Sequence, residues 1–212
     1  MQTIVFKNQP RIVATGTIAG PKECAGVVGK YVDKTLTDDM FGESTYEKAE
    51  CKMLSYAISK AVENAGVKQE DVDLLVSGDL LNQIISASFA ARDFDFPFLG
   101  VYSACSTMSE SIAIAAALIN AGYYRKIVAA TGSHFSSAER QYRYPLELGN
   151  TRPPQAQWTV TGAGGAFIAD MGATNSSLAI TSATFGKVVD YGITDVNNMG
   201  AAMAPYIGII GI

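Results

Sequence analysis

The sequence predicts an α/β protein built around a mixed sheet. Three observations predict it. Short apolar strands alternate with helical stretches over most of the chain. Two long helical stretches each close on a glycine, at Gly66 and Gly122. The order ends on two successive strands rather than another strand–helix pair, which favours a mixed sheet over a purely parallel one.

The elements follow in order. Arg11 to Ala19 reads as a strand ended by Gly20-Pro21, and residues 22–42 as a long loop or excursion. Ser44 and Glu47 match a capping box, in which each side chain satisfies a backbone N–H at the other's position. Met53, Leu54, Ala57, Ile58, Ala61, Val62 and Ala65 then recur at helical spacing. Gly66 ends that helix as the residue just past its C-cap. Val72 to Ser77 is a second strand, Leu81 to Arg92 a helix, and Pro97 to Ser103 leads into a third strand. Thr107 and Glu110 match a second capping box. They open a helix to Ala121, closed by Gly122. Arg125 to Thr131 and Ala163 to Asp170 are the fourth and fifth strands. Leu178 to Val189 is a strand that begins something new.

The bulk properties narrow the function classes. With 212 residues and 48% hydrophobic content, the chain makes one large domain or two small ones. A net charge of −4 gives no basic field for nucleic acid. Cys24, Cys51 and Cys105 are an odd number without metal spacing, so no disulfide framework or zinc site is implied and a reducing compartment fits. The first residues lack the apolar core of a signal peptide. No stretch reaches the ~20 apolar residues of a membrane span. The helix after Cys105 carries no charge from Ile112 to Leu118 and is apolar on every side. Such a helix is buried all round, and the visible strands would cover only one of its faces.

Cys105 is the main candidate for chemistry. It sits where a short strand runs into that helix, between Ser103-Ala104 and Ser106-Thr107. The helix start offers it unpaired N–H groups and a positive dipole end, which favour the nucleophilic thiolate. The alternative is a small buried hydrophobe. A nucleophile also needs a base and oxyanion donors. His134, the one histidine, follows the next strand, and strand ends in an open α/β sheet gather at one edge. It could therefore face the same pocket, or be satisfied by local backbone.

Gly162-Ala163-Gly164-Gly165 fails as a dinucleotide fingerprint. Phe167 takes the third glycine's place and a strand follows. Tight backbone packing is the better account. Arg140, Arg143 and Arg152 lie beside aromatics and prolines. They form a solvated loop, a carboxylate clamp or a subunit contact. Cys24 and Cys51 are assigned no role.

These residues carry a resemblance. Ser103-Ala104-Cys105 at a strand-to-helix junction resembles the nucleophile position of the thiolase-like superfamily. Tyr102 to Glu110, Ala130 to Glu147 and Gln157 to Gly165 are more specific. Together they resemble the stage V sporulation protein AD family, over about Phe6 to Pro205. The resemblance implies a thiolase-like fold of two similar halves, each a βαβαβαββ unit. The N-terminal half would occupy 1–176, and 177–212 would begin a second half that stops early. The end of the chain then reads as that of a split gene, a frameshift or a fragment.

The resemblance also implies a binding protein for dipicolinic acid (pyridine-2,6-dicarboxylate) that serves its uptake into the developing spore. Such a protein has no cofactor of its own, though calcium accompanies the ligand in that family. Its partners would be other proteins of the stage V sporulation A operon. It would be cytoplasmic and peripheral at the forespore inner membrane. On this reading Cys105, Ser106, Thr107 and His134 line the pocket, and Arg140 or Arg143 takes the second carboxylate. A helix start suits an anionic carboxylate. An acyltransferase with Cys105 as nucleophile is the rival, and an interaction fragment without a ligand is the third reading. The half-covered apolar helix predicts a homodimer or a complementing C-terminal half.

Overall fold

The computed structural model describes residues 2–142, 159–173, 176–187 and 189–195. Its strands are β1 (Gln2–Val5), β2 (Arg11–Ala19), β3 (Lys34–Thr35), β4 (Leu74–Gly78), β5 (Phe98–Gly100), β6 (Lys126–Ser133), β7 (Gly162–Ala169) and β8 (Ser182–Phe185). Its helices are α1 (Pro21–Cys24), α2 (Tyr46–Asn64), α3 (Ile85–Ala91), α4 (Thr107–Asn120) and α5 (Phe135–Tyr142). Among the described residues six strands form one mixed sheet, in the order β3-β2-β7-β6-β4-β5. β7 runs against both its neighbours, while β2 and β3, and β6, β4 and β5, pair in parallel. The C-terminal ends of the other five strands therefore meet at one edge, beside the start of β7.

The strand alternation sorts the core into two layers. Leu75, Val128, Ala130 and Phe167 turn to the face covered by α2 and α3. Leu74, Val76, Ile127, Ala129, Ala166 and Ile168 turn to the face covered by α4. A period of two along each strand requires this division. Every α2 residue predicted on the apolar stripe from Met53 to Val62 is buried. α2 lies directly on the sheet backbone. A Cβ on Gly165 would come within 2.9 Å of Ala57 O, and one on Gly16 within 2.8 Å of Lys60 Cβ. The glycine run before Phe167 thus serves close packing, as its sequence setting implied.

Several local expectations shift. Neither capping box forms. The α2 N-cap is Thr45, whose hydroxyl accepts from Lys48 N at 3.3 Å, while Ser44 Oγ instead accepts from Lys48 Nζ. Thr45 is the extended residue at the turn (φ −142°, ψ 156°), so the chain enters the helix one residue later than the motif implies. Thr107 lies inside α4, and the preceding Ser106 makes no side-chain cap.

α3 begins at Ile85 rather than Leu81. Asp79 takes the N–H groups of Leu81 and Ala87 at 2.7 and 2.6 Å, offering the backbone an alternative to helix, and Ile84 is left-handed at φ +52°. Residues 139–142, expected in a loop, belong to α5.

β1 and β8 form a separate antiparallel pair, joining Gln2 to Phe185 and Val5 to Ser182. The pairing continues inward through Phe6 N to Thr181 O and Ile12 N to Leu178 O. The stretch read as a new beginning is thus stitched to the first residues of the chain. α4 buries Ser111, Ala115, Ala116 and Ile119 against the sheet, while Ile112, Ala113, Ala117 and Leu118 are half-buried. The apolar helix is covered fully on one side, as expected.

Candidate functional site

The strand ends place Gly78-Asp79, Val101 to Cys105 and Thr131 to His134 along one edge of the sheet. Their approach is close. Val101 N donates to Ser77 O at 3.0 Å, and a Cβ on Gly78 would meet Thr107 Cγ2 at 2.9 Å and the Val101 carbonyl carbon at 3.1 Å. Thr131 Oγ1 donates to Gly78 O at 2.9 Å and ties β6 to the same point. Only a residue without a side chain fits where β4 ends.

The turn that carries Cys105 is a 3-10 turn, Ala104–Ser106, running directly into α4. Ala104 is left-handed at φ +46°, a conformation an L residue adopts at a cost. Hydroxyls hold it. Thr107 Oγ1 donates to Ala104 O at 2.8 Å and accepts from Ser103 N at 3.3 Å. Ser106 Oγ donates to Ser103 O at 2.8 Å and lies 2.6 Å from Ser103 Oγ. With its own proton on the carbonyl, Ser106 accepts from Ser103 in that pair. The wound turn leaves Cys105 and Ser106 exposed and Thr107 buried. The reading of Cys105 as a buried hydrophobe does not hold.

His134 is fully buried. Its Nδ1 accepts from Ser136 N at 3.1 Å and its Nε2 lies 2.9 Å from Asp39 O. That pattern fixes the neutral tautomer with the proton on Nε2, donated to the carbonyl. Burial lowers its pKa below the ordinary 6.5. Its ring lies 4.9 Å from that of Tyr46, at the start of α2. Both ring nitrogens are thus engaged within the protein, and neither bond involves the Cys105 turn. Arg140 pairs with Glu47 of α2 at the surface. Arg143 lies outside the described residues, as does Arg152.

Sequence reading missed three residues that shape this edge. Gly78 carried a signal, being a glycine at the end of an apolar strand. Asp79 carried a weaker one, as an acid just before a helix. Ser103 carried none, because its part depends on the left-handed residue after it. Among the described residues no group of three or more His, Cys, Asp or Glu side chains converges as a metal site would. Among them also, no helix is long and apolar enough to cross a membrane.

The mixed sheet between helices is a thiolase-like fold. Solved structures agree on the fold. The chain matches the 3-oxoacyl-(acyl carrier protein) synthase III, FabH, of Xanthomonas oryzae pv. oryzae with a TM-score of 0.51 and 16% identity. That match covers 81% of this chain and 59% of the other. An OleA variant of Xanthomonas campestris, crystallised with cerulenin, matches with a TM-score of 0.55 and 14% identity, over 81% and 60% of the two chains. The chain belongs to the stage V sporulation protein AD family, whose description matches residues 1–208. It is 44% identical to the stage V sporulation protein AD of Bacillus subtilis (strain 168) over 204 residues, which is 96% of this chain and 60% of that relative. The chain therefore spans about 60% of the length of the curated relative it matches.

Proposed function

We propose that this chain supplies the cysteine-bearing half of a binding site for dipicolinic acid, serving its uptake into the developing spore. Membership of the sporulation family supports the setting. The observation that carries the site is the exposed Cys105-Ser106 turn at the start of α4. Such a position suits a carboxylate through the orphan N–H groups and positive end of the helix. In this reading Cys105 and Ser106 touch the ligand, and Thr107 holds the turn in shape. His134 acts by fixing the loop at Asp39, and Arg140 and Arg143 remain the candidates for the second carboxylate. Calcium enters with the ligand rather than at a site of its own.

The partners are the other proteins of the stage V sporulation A operon, at the inner spore membrane. The half-buried outer side of α4 calls for cover from a complementing C-terminal half or from a second copy.

Calorimetric titration of dipicolinate into wild-type protein, Cys105→Ala, Ser106→Ala and His134→Ala tests the site. The expected result is a loss of affinity in the first two and a smaller loss in the third. Unchanged affinity in all three would remove this edge from binding. The exposed thiol also keeps an acyltransferase in view. Incubation with an acyl-CoA followed by intact mass would reveal an adduct on Cys105 in that case.

A further inference from the structure

Glu50 sits near the N-terminal end of the buried face of α2 and is fully enclosed. Its Oε2 accepts from Ser137 Oγ of α5 at 2.6 Å, and its Oε1 is buried without a hydrogen-bond partner. An ionised carboxylate has about four lone-pair sites to satisfy, and here only two neutral hydroxyls, of Ser137 and Ser86, stand beside it. Asp79, from the loop after β4, and Glu47, one turn earlier on α2, both oppose a negative charge at Glu50. Ser86 of α3 brings a neutral hydroxyl beside it, also buried without a partner. From α5, Arg140 is engaged by Glu47. His134 is neutral, by the bonds described above, and burial pushes the neighbouring Cys51 thiol up to about 11. No charge in this set compensates an ionised Glu50. The Ser137 and Ser86 hydroxyls favour the ionised form, but both are neutral, and enclosure outweighs them.

α5 ties more than one segment. Gln141 Oε1 accepts from Asn82 N at 2.9 Å, Glu139 Oε1 from Thr159 N at 3.0 Å, and Thr161 Oγ1 from Phe135 N at 3.2 Å. The loop that Gln141 holds includes Leu80, whose carbonyl accepts from Tyr102 OH at 3.4 Å, three residues before Cys105. A continuous set of bonds thus runs from Glu50 through α5 to the segment beside the Cys105 turn.

We propose that Glu50 and Ser137 form a proton-operated latch. With the carboxyl protonated, α5 is closed on α2 and steadies the loop beside Cys105. With the carboxyl ionised, α5 is released. The device does not depend on which ligand the Cys105 edge takes. Burial is the main cause that raises the Glu50 carboxyl from the ordinary 4.5 to about 8. The closed form therefore keeps a proton that the open form gives up. Opening grows about tenfold per pH unit as pH rises between those two values, and levels off above the higher one.

Hydrogen exchange of the α5 amides, corrected for intrinsic rate, tests this at about pH 5.5 and about pH 7.5. The wild-type opening constant should rise by roughly fiftyfold or more between them. Glu50→Gln, which stays neutral and keeps an acceptor for Ser137, should remove that rise and leave α5 protected at both. Ser137→Ala should expose α5 at the lower pH already, at least about tenfold over wild type, with β4 and β6 still protected. A flat wild-type profile, an unchanged slope in Glu50→Gln, or α5 protection unaltered in Ser137→Ala would each overturn the latch. So would β4 and β6 exchanging in step with α5, because global unfolding would then explain the rise.

Discussion

Replacing Gly78 with alanine would drive a methyl group into the junction that positions the Cys105 turn. The new carbon would lie 2.9 Å from Thr107 Cγ2 and 3.1 Å from the Val101 carbonyl carbon, and closer still to Val101 O. Ordinary contact begins near 3.4 Å, so the neighbours must give way. The nearest obstacle is backbone. It cannot rotate aside, and the adjoining Val101 N to Ser77 O bond of 3.0 Å fixes it from the other direction. Overpacking costs typically about 1–3 kcal/mol, and a backbone obstacle places this site at about 3. For a chain of this size each kcal/mol lowers Tm by about 2–4 °C, so a fall of about 6–12 °C is expected. Thermal melting followed by circular dichroism measures it. Gly164→Ala is the control, since a Cβ there meets nothing within 4 Å. If Gly78→Ala melts with Gly164→Ala, the junction is not tight, and the account of how the Cys105 turn is held fails.

Thr45→Ala should cost about 1 kcal/mol in urea unfolding, while Ser44→Ala should cost almost nothing, because Thr45 caps α2. Arg140→Ala should change stability by less than about 1 kcal/mol in the same assay, its pair with Glu47 being exposed to solvent. His134→Asn should weaken the loss of stability in acid. The folded chain holds His134 neutral and the unfolded chain protonates it near the ordinary 6.5, so the contribution of this residue to stability drains as pH falls below that value. In a Glu50→Gln background, which removes the opposing titration of that carboxyl, unfolding at about pH 5.5 and about pH 7.5 would show a smaller difference with His134→Asn than without it.

Much of the fold was legible because burial writes itself into spacing. The strand Arg11–Ala19 was readable to its ends, and the stripe from Met53 to Val62 marked the buried face of α2. Gly66 and Gly122 stand where the sequence put them, left-handed at φ +67° and +80°. α5 escaped because its buried side is Ser137, Ala138 and Glu139, which is not an apolar stripe. β1 escaped because it is short, exposed and paired with residues at the other end of the chain. Both capping motifs matched in letters and failed in geometry, since one extended residue decides where a helix begins. At the site, the place of Cys105 between strand and helix was legible, but its exposure was not, since a buried hydrophobe fitted the same letters. The direction of His134 did not. A sheet edge gathers residues, but which face each side chain takes depends on the loop it meets.

The central pairing of the sheet bears on how the chain is made. β2 lies beside β7 with Arg11 opposite Ala169, and β6 closes on the other side of β7 with Lys126 opposite Ala169. If β2 and β6 take their places before β7 is made, a one-strand gap lies between them, and the part of α2 that packs on β7 is uncovered there. Residues 162–169 must leave the ribosome before it can be filled. Long-range pairing of this kind is slow and exposes apolar surface while it waits. A chaperone that meets this chain during synthesis would meet it there, on α2, at the place the last central strand will occupy.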